Sequence, residues 1–98
     1  MILDELFELI KERKKSSPTS SYVAALYEKG DDAILQKVGE EAIETILAFK
    51  SEKRDEIIYE SADLIFHLLV ALSNADIELD ELFKELESRF GTSGIRKE

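Results

Sequence analysis

Four carboxylates at two repeated spacings are the part of this chain best suited to chemistry. Glu41 with Glu44, and Glu60 with Asp63, stand three residues apart. On helices each pair projects from one face with its β-carbons roughly 5–6 Å apart. Like charges held that close repel, and burying one ionised carboxylate costs on the order of several kcal/mol, so such a cluster calls for a cation. The chain has no cysteine, which leaves hard oxygen donors and favours Mg²⁺ or Mn²⁺ over Zn²⁺. His67 follows Asp63 by four residues and reads as a residue that orients Asp63, or else as a ligand itself. A di-iron bundle would want Glu-x-x-His on each of two helices, and the single histidine does not supply it.

The plain alternative for Glu40, Glu41 and Glu44 alone is a solvated acidic face. It does not explain the second segment, where Glu56, Glu60, Asp63, His67 and Asn74 fall in one arc of roughly 60°. Ile57, Ile58, Leu64, Ile65, Phe66, Leu68, Leu69, Val70 and Leu72 surround the rest of that helix. A helix apolar almost all round is expected to be buried, so its polar stripe should face a cleft. Lys37, one turn before Glu41, is either a helix salt-bridge partner or a phosphate contact. No glycine-rich phosphate loop, nucleophile–base pair or dinucleotide fingerprint is present, so any chemistry rests on water activated by a metal.

The elements that must position these groups are all helical. Apolar spacing predicts a helix from Ile2 to about Lys14, and Ser16–Ser21 with Pro18 then breaks the pattern. A short helix follows from about Tyr22 to Lys29, ended by Gly30. Ser21-Tyr22 and Lys29-Gly30-Asp31 read from spacing as caps and a turn, with a ligand role as the alternative. Asp31 is placed to cap a long helix reaching about Lys50. Its wheel puts Leu35, Val38, Gly39, Ala42, Ile43, Ile46 and Phe49 on one side and Lys37, Glu40, Glu41 and Glu44 opposite. Gly39 costs about 1 kcal/mol against alanine there, which suggests close approach of a neighbouring helix. The second long helix runs from about Asp55 to Asn74. Leu79, Leu82, Phe83, Leu86 and Phe90 mark a last one, ended by Gly91.

At 98 residues, with 44% hydrophobic and 36% charged residues and one proline, the chain reads as one all-α domain over residues 1–90 with a tail over 91–98. More apolar surface is present than four short neighbours can cover, so a homodimeric bundle is expected. A net charge of −9 argues against nucleic acid or an anionic membrane as partner. It permits a phosphorylated small molecule if metal ions lie between carboxylates and phosphates, with Lys29, Lys37 and, more loosely, Arg89, Arg96 and Lys97 as supporting cations. The acidic start and the short apolar runs point to a cytoplasmic protein.

Glu40-Glu41-x-x-Glu44 followed by Glu60-x-x-Asp63 resembles the signature of the all-α, MazG-like nucleoside triphosphate pyrophosphohydrolases. Ser21-Tyr22, Lys29-Gly30, Gln36-Lys37-Val38-Gly39-Glu40-Glu41, Glu60-x-Ala62-Asp63-Leu64 and His67-Leu68-Leu69-Val70 look like the stand-alone phosphoribosyl-ATP pyrophosphohydrolase family of histidine biosynthesis. Val23 departs from that family's usual threonine and leaves the metal motif intact. The resemblance implies a Mg²⁺-dependent homodimer, Mn²⁺ also being possible, that hydrolyses a phosphoribosyl nucleotide to phosphoribosyl-AMP and pyrophosphate. On that reading Glu41, Glu44, Glu60 and Asp63 bind metal. Glu40 is a further ligand or the base, Glu40, Glu41 and Glu44 form the catalytic set, and Lys37, Lys29 and Tyr22 bind substrate. The rivals are a house-cleaning pyrophosphohydrolase acting on free nucleoside triphosphates and a non-catalytic helical dimerisation module.

Overall fold

A computed structural model describes residues 1–92. It contains α1 (Ile2–Arg13), α2 (Tyr22–Lys29), α3 (Asp31–Ser51), α4 (Arg54–Asn74), α5 (Leu79–Glu87) and a short 3₁₀ turn (Phe90–Thr92), with no strand among the described residues. The all-α expectation holds.

Local chemistry sets most of the helix ends. Ser21 Oγ accepts a hydrogen bond from the Ala24 N–H at 3.2 Å and caps α2, as its side chain predicts. Asp31, expected as the cap of α3, instead begins that helix. Gly30 ends α2 and caps α3 at φ +101°, because one residue joining two helices must turn the chain through backbone space that only glycine enters freely. Asp31 Oδ1 accepts from Asn74 Nδ2 at 2.7 Å, tying the start of α3 to the end of α4. Glu78 and Glu81 form a reciprocal capping box at α5, a signal the hydrophobic spacing does not carry. That helix stops at Glu87, short of the expected Phe90. There Ser88 Oγ donates to the Glu85 carbonyl at 2.6 Å, competing locally with further helical turns. Of the expected tail, residues 93–98 lie outside the described residues.

The core gathers Phe7 and Ile10 of α1, Val23 and Leu26 of α2, Ile34 at the start of α3, Leu69 and Val70 late in α4, and Leu79 of α5. Phe66, Leu72, Leu82 and Phe83 pack against it. Everything in this list sits at one end of the α3–α4 pair. The two long helices run antiparallel through the short Glu52–Lys53 turn, where Glu52 adopts φ +60°, and form the most extensive helix pairing in the chain.

The far end of that hairpin departs from expectation. Much of the apolar surface of both long helices stays uncovered within the chain: Ile43, Ile46 and Phe49 on α3 and Ile58 on α4 are each more than half exposed, and Leu35, Ile65 and Leu68 are exposed as well. Only Ile34, Glu41 and Ala48 are buried on α3. A β-carbon built at Gly39 would meet nothing within 4 Å, so the expected close helix approach there is absent from the single chain. The reason is geometric. With only α1, α2 and α5 to cover the pair, three short helices shield one end and one side, and the opposite side faces outward. The radius of gyration, 15.1 Å, accordingly exceeds the about 13 Å of a compact 100-residue domain.

Candidate active site

The face of α3 that does meet α4 is the acidic one. Glu41 is 3% exposed, although the wheel alone sets it opposite the apolar side. Two overlapping groups result, each able to offer ligand atoms within 4.8 Å of one another: Glu41, Glu44 and Glu60, and Glu41, Asp63 and His67. All four carboxylates expected to bind metal are thus brought together, with Glu41 common to both groups. Glu40 stands beside them and in neither. It accepts a hydrogen bond from Gln36 Nε2 at 3.0 Å and lies 3.9 Å from Lys37 Nζ.

Lys37 Nζ reaches Glu41 Oε2 at 3.1 Å, and this bond to a carboxylate holds the lysine above its ordinary pKa. Burial pushes Glu41 upward, but hydrogen bonding with Asp63 and Lys37 outweighs it and leaves the group below the usual carboxylate range. Asp63 moves the other way, raised by burial and by its hydrogen bond with Glu41. Glu60 is raised by burial and then by the charges of Glu44, Glu41 and Asp63. Burial first, and then hydrogen bonding and repulsion among the acids, split the group into a carboxylate that holds its charge and neighbours that resist ionisation.

Two oxygens decide whether a cation suits this place. Glu41 Oε1 and Glu60 Oε1 are buried with no hydrogen-bond partner. Partnerless acceptors of that kind are uncommon because each forfeits its hydration. Here they belong to facing helices in one carboxylate group, so hard oxygen donors, negative charge and unmet acceptors coincide. The residues fit a divalent metal ion.

His67 is buried, and both of its ring nitrogens are engaged. Nδ1 lies 2.8 Å from the Asp63 carbonyl oxygen; a carbonyl only accepts, so Nδ1 carries the hydrogen and donates it. In the neutral ring Nε2 then accepts from the Tyr22 hydroxyl at 2.8 Å. Nδ1 is also 3.4 Å from Asp63 Oδ1. The ring thus links Tyr22 to Asp63, the residue its spacing pairs it with. Tyr22, from the start of α2, is half exposed and stacks on Phe66 with ring centroids 6.4 Å apart.

Lys29 and Lys37 line one hollow of about 270 Å³ with Leu26, Ala33 and Gln36, so the two expected phosphate contacts share a place beside the acids. Arg89 is not among them, being 3.5 Å from Glu85 after α5. Arg96 and Lys97 lie outside the described residues. Thr45 was given no role by spacing. Its hydroxyl oxygen is 2.7 Å from the Glu41 carbonyl and 3.1 Å from the Glu60 carbonyl, and only its place one turn after Glu41 hinted at it.

Fold and site together define an all-α protein whose central helix hairpin presents a carboxylate cluster suited to a divalent cation. The chain belongs to the phosphoribosyl-ATP pyrophosphohydrolase family, whose profile matches residues 3–90. It is 55% identical over 94 residues to a phosphoribosyl-ATP pyrophosphatase of Geobacter metallireducens, spanning 96% of this chain and 86% of that one. A protein of the same name from Geobacter sulfurreducens is 55% identical over 93 residues, with 95% and 86% covered. A histidine biosynthesis bifunctional protein HisIE of Caldanaerobacter subterraneus is 49% identical over 89 residues, which is 91% of this chain and 43% of that longer one. The family resemblance in the motifs is borne out across the chain.

Proposed function

We propose that this protein is a phosphoribosyl-ATP pyrophosphohydrolase, a hydrolase of histidine biosynthesis in which water cleaves a phosphoanhydride to give phosphoribosyl-AMP and pyrophosphate. The observation that carries the reading is the pair of buried, partnerless oxygens on Glu41 and Glu60 inside a carboxylate cluster, in a chain that shares more than half its residues with phosphoribosyl-ATP pyrophosphatases.

Glu41, Glu44, Glu60 and Asp63 are the residues that would hold Mg²⁺, with Mn²⁺ as a substitute. When bound, such an ion neutralises phosphate charge and acidifies water. Glu40, outside both ligand groups, accepts the proton of the attacking water. Lys37 turns from Glu41 and Glu40 towards phosphate oxygens, assisted by Lys29 across the shared hollow, and so supplies positive charge that a chain of net charge −9 otherwise lacks at its site. Tyr22 borders the substrate on the α2 side, while His67 keeps Asp63 in place.

A homodimer acting in the cytoplasm completes the proposal. Its support is the outward apolar side of the α3–α4 hairpin, where Ile43, Ile46, Phe49 and Ile58 are each more than half exposed. A second copy would cover it by the hydrophobic effect.

The deciding experiment follows pyrophosphate release from phosphoribosyl-ATP with and without MgCl₂, beside free ATP and dCTP. Mg²⁺-dependent release from phosphoribosyl-ATP alone is expected. Release only from the free nucleotides would reassign the substrate, and silence with all three would leave a non-catalytic helical module.

A further inference from the structure

In the middle of the α3–α4 hairpin, Thr45 joins the two helices through a hydrogen bond to backbone. Its Oγ1 lies 2.7 Å from the Glu41 carbonyl oxygen and 3.1 Å from the Glu60 carbonyl oxygen. A hydroxyl has a single hydrogen, so the two carbonyls share it in a three-centre bond. The first contact, back to the residue four before it, is a local one that threonine makes in many helices. The second is not local. It crosses to the other helix, between residues 15 positions apart. Asn74 to Asp31 and Ser51 to Glu56 also join these helices, at the two ends of the pair.

The carbonyls joined in this way belong to particular residues. Glu41 and Glu60 are the two acids whose side chains each bury an oxygen without a partner. One hydroxyl therefore ties together the backbones of the two residues whose carboxylates each keep a buried oxygen unpaired. Sliding α4 along α3, or separating them, would move those oxygens apart, because each carboxylate rides on the backbone that Thr45 holds.

We propose that Thr45 is a positioning residue for the carboxylate site, its hydroxyl fixing the register and spacing of α3 against α4 so that Glu41 and Glu60 converge on one divalent cation. This rests on the metal-binding reading above. The test separates the hydroxyl from the methyl group with three variants: Thr45→Val keeps the methyl, Thr45→Ser keeps the hydroxyl, and Thr45→Ala keeps neither. Mg²⁺ alone is titrated into each full-length protein by calorimetry, with thermal melts at each metal concentration and far-ultraviolet circular dichroism as a check on folding. The expected grouping follows the hydroxyl. Thr45→Ser binds Mg²⁺ as the wild type does, while Thr45→Val and Thr45→Ala bind about tenfold more weakly, the loss usual when a residue supporting a metal ligand is removed. If Thr45→Val fails to fold, the comparison of Ser with Ala decides in its place. Equal Mg²⁺ affinity in all variants, or a grouping by the methyl, overturns the role of Thr45 and leaves the metal site standing. A wild-type protein that binds no Mg²⁺ saturably overturns both.

Discussion

Lys37 Nζ stands 3.1 Å from Glu41 Oε2, joining a lysine that is one-third exposed to a carboxylate that is 3% exposed. Removing the lysine would leave a buried charge facing Asp63 and Glu60 alone. Thr45 and His67 then hold in place a site with nothing to balance it.

Lys37→Met should accordingly destabilise the metal-free protein by about 1–3 kcal/mol, the cost of an uncompensated buried polar group. Adding Glu41→Gln in the same chain should recover much of that loss, since the two residues are coupled. Urea melts of the single and double variants measure it. Purely additive effects would mean that the pair is not coupled.

Glu44→Gln and Asp63→Asn each remove one anionic oxygen from the cluster while nearly preserving shape. Turnover of phosphoribosyl-ATP should fall by more than about 100-fold in both, beyond the range seen when only a supporting partner of a ligand is lost. Helical circular dichroism should be unchanged. Most of the activity surviving in either variant would take that residue out of the site.

Acidity should separate the metal-free and metal-bound proteins. Asp63 and Glu60 are held above their ordinary values, chiefly by burial, so the folded state binds their protons more tightly than the unfolded state does. Metal-free stability therefore rises as pH falls from neutral towards those raised values. Glu41 has the opposite sign. Its lowered pKa gives a contribution present above the ordinary carboxylate value and lost as pH falls through the folded one. The metal-free Tm should thus peak at mildly acidic pH, and Glu60→Gln should flatten the rise. Mg²⁺ binds the ionised forms, so the Tm increment it brings should be largest at neutral pH and shrink on acidification. A metal-free Tm that declines steadily from neutral pH would contradict this.

Tyr22→Phe deletes the donor to His67 Nε2, leaving a buried acceptor unpaired at a cost of about 1 kcal/mol or somewhat more. Nitrogen NMR of the wild-type imidazole should show hydrogen on Nδ1 and none on Nε2 in the neutral ring. The reverse tautomer would break the chain from Tyr22 through His67 to Asp63.

Ile46→Asp places a charge on the outward side of the hairpin. The 11.2 kDa chain should migrate at twice its mass in gel filtration and at its own mass once this substitution is made. A wild-type monomer would remove the dimer from the proposal.

Periodicity and caps alone determined much of this molecule. The two long helices, the cap at Ser21, the break after Lys29 and the three-residue spacing of Glu41–Glu44 and Glu60–Asp63 are local properties, set by neighbours within a turn or two. What they do not set is the rotation of one helix about its axis relative to the next. Taken alone, the wheel of α3 pointed Ile43 inward and Glu41 outward, and the structure does the reverse: Glu41 is 3% exposed and Ile43 60%. An apolar stripe says that a surface seeks cover, not which element supplies it. Three short helices cannot cover both sides of a 21-residue pair, so the acids meet across α3 and α4 and the apolar side is left facing outward. The bridges that finish the site, Thr45 to Glu60 over 15 residues and Tyr22 to His67 over 45, depend on that same choice of facing sides. No local spacing encodes them, because each is made only after the helices have docked.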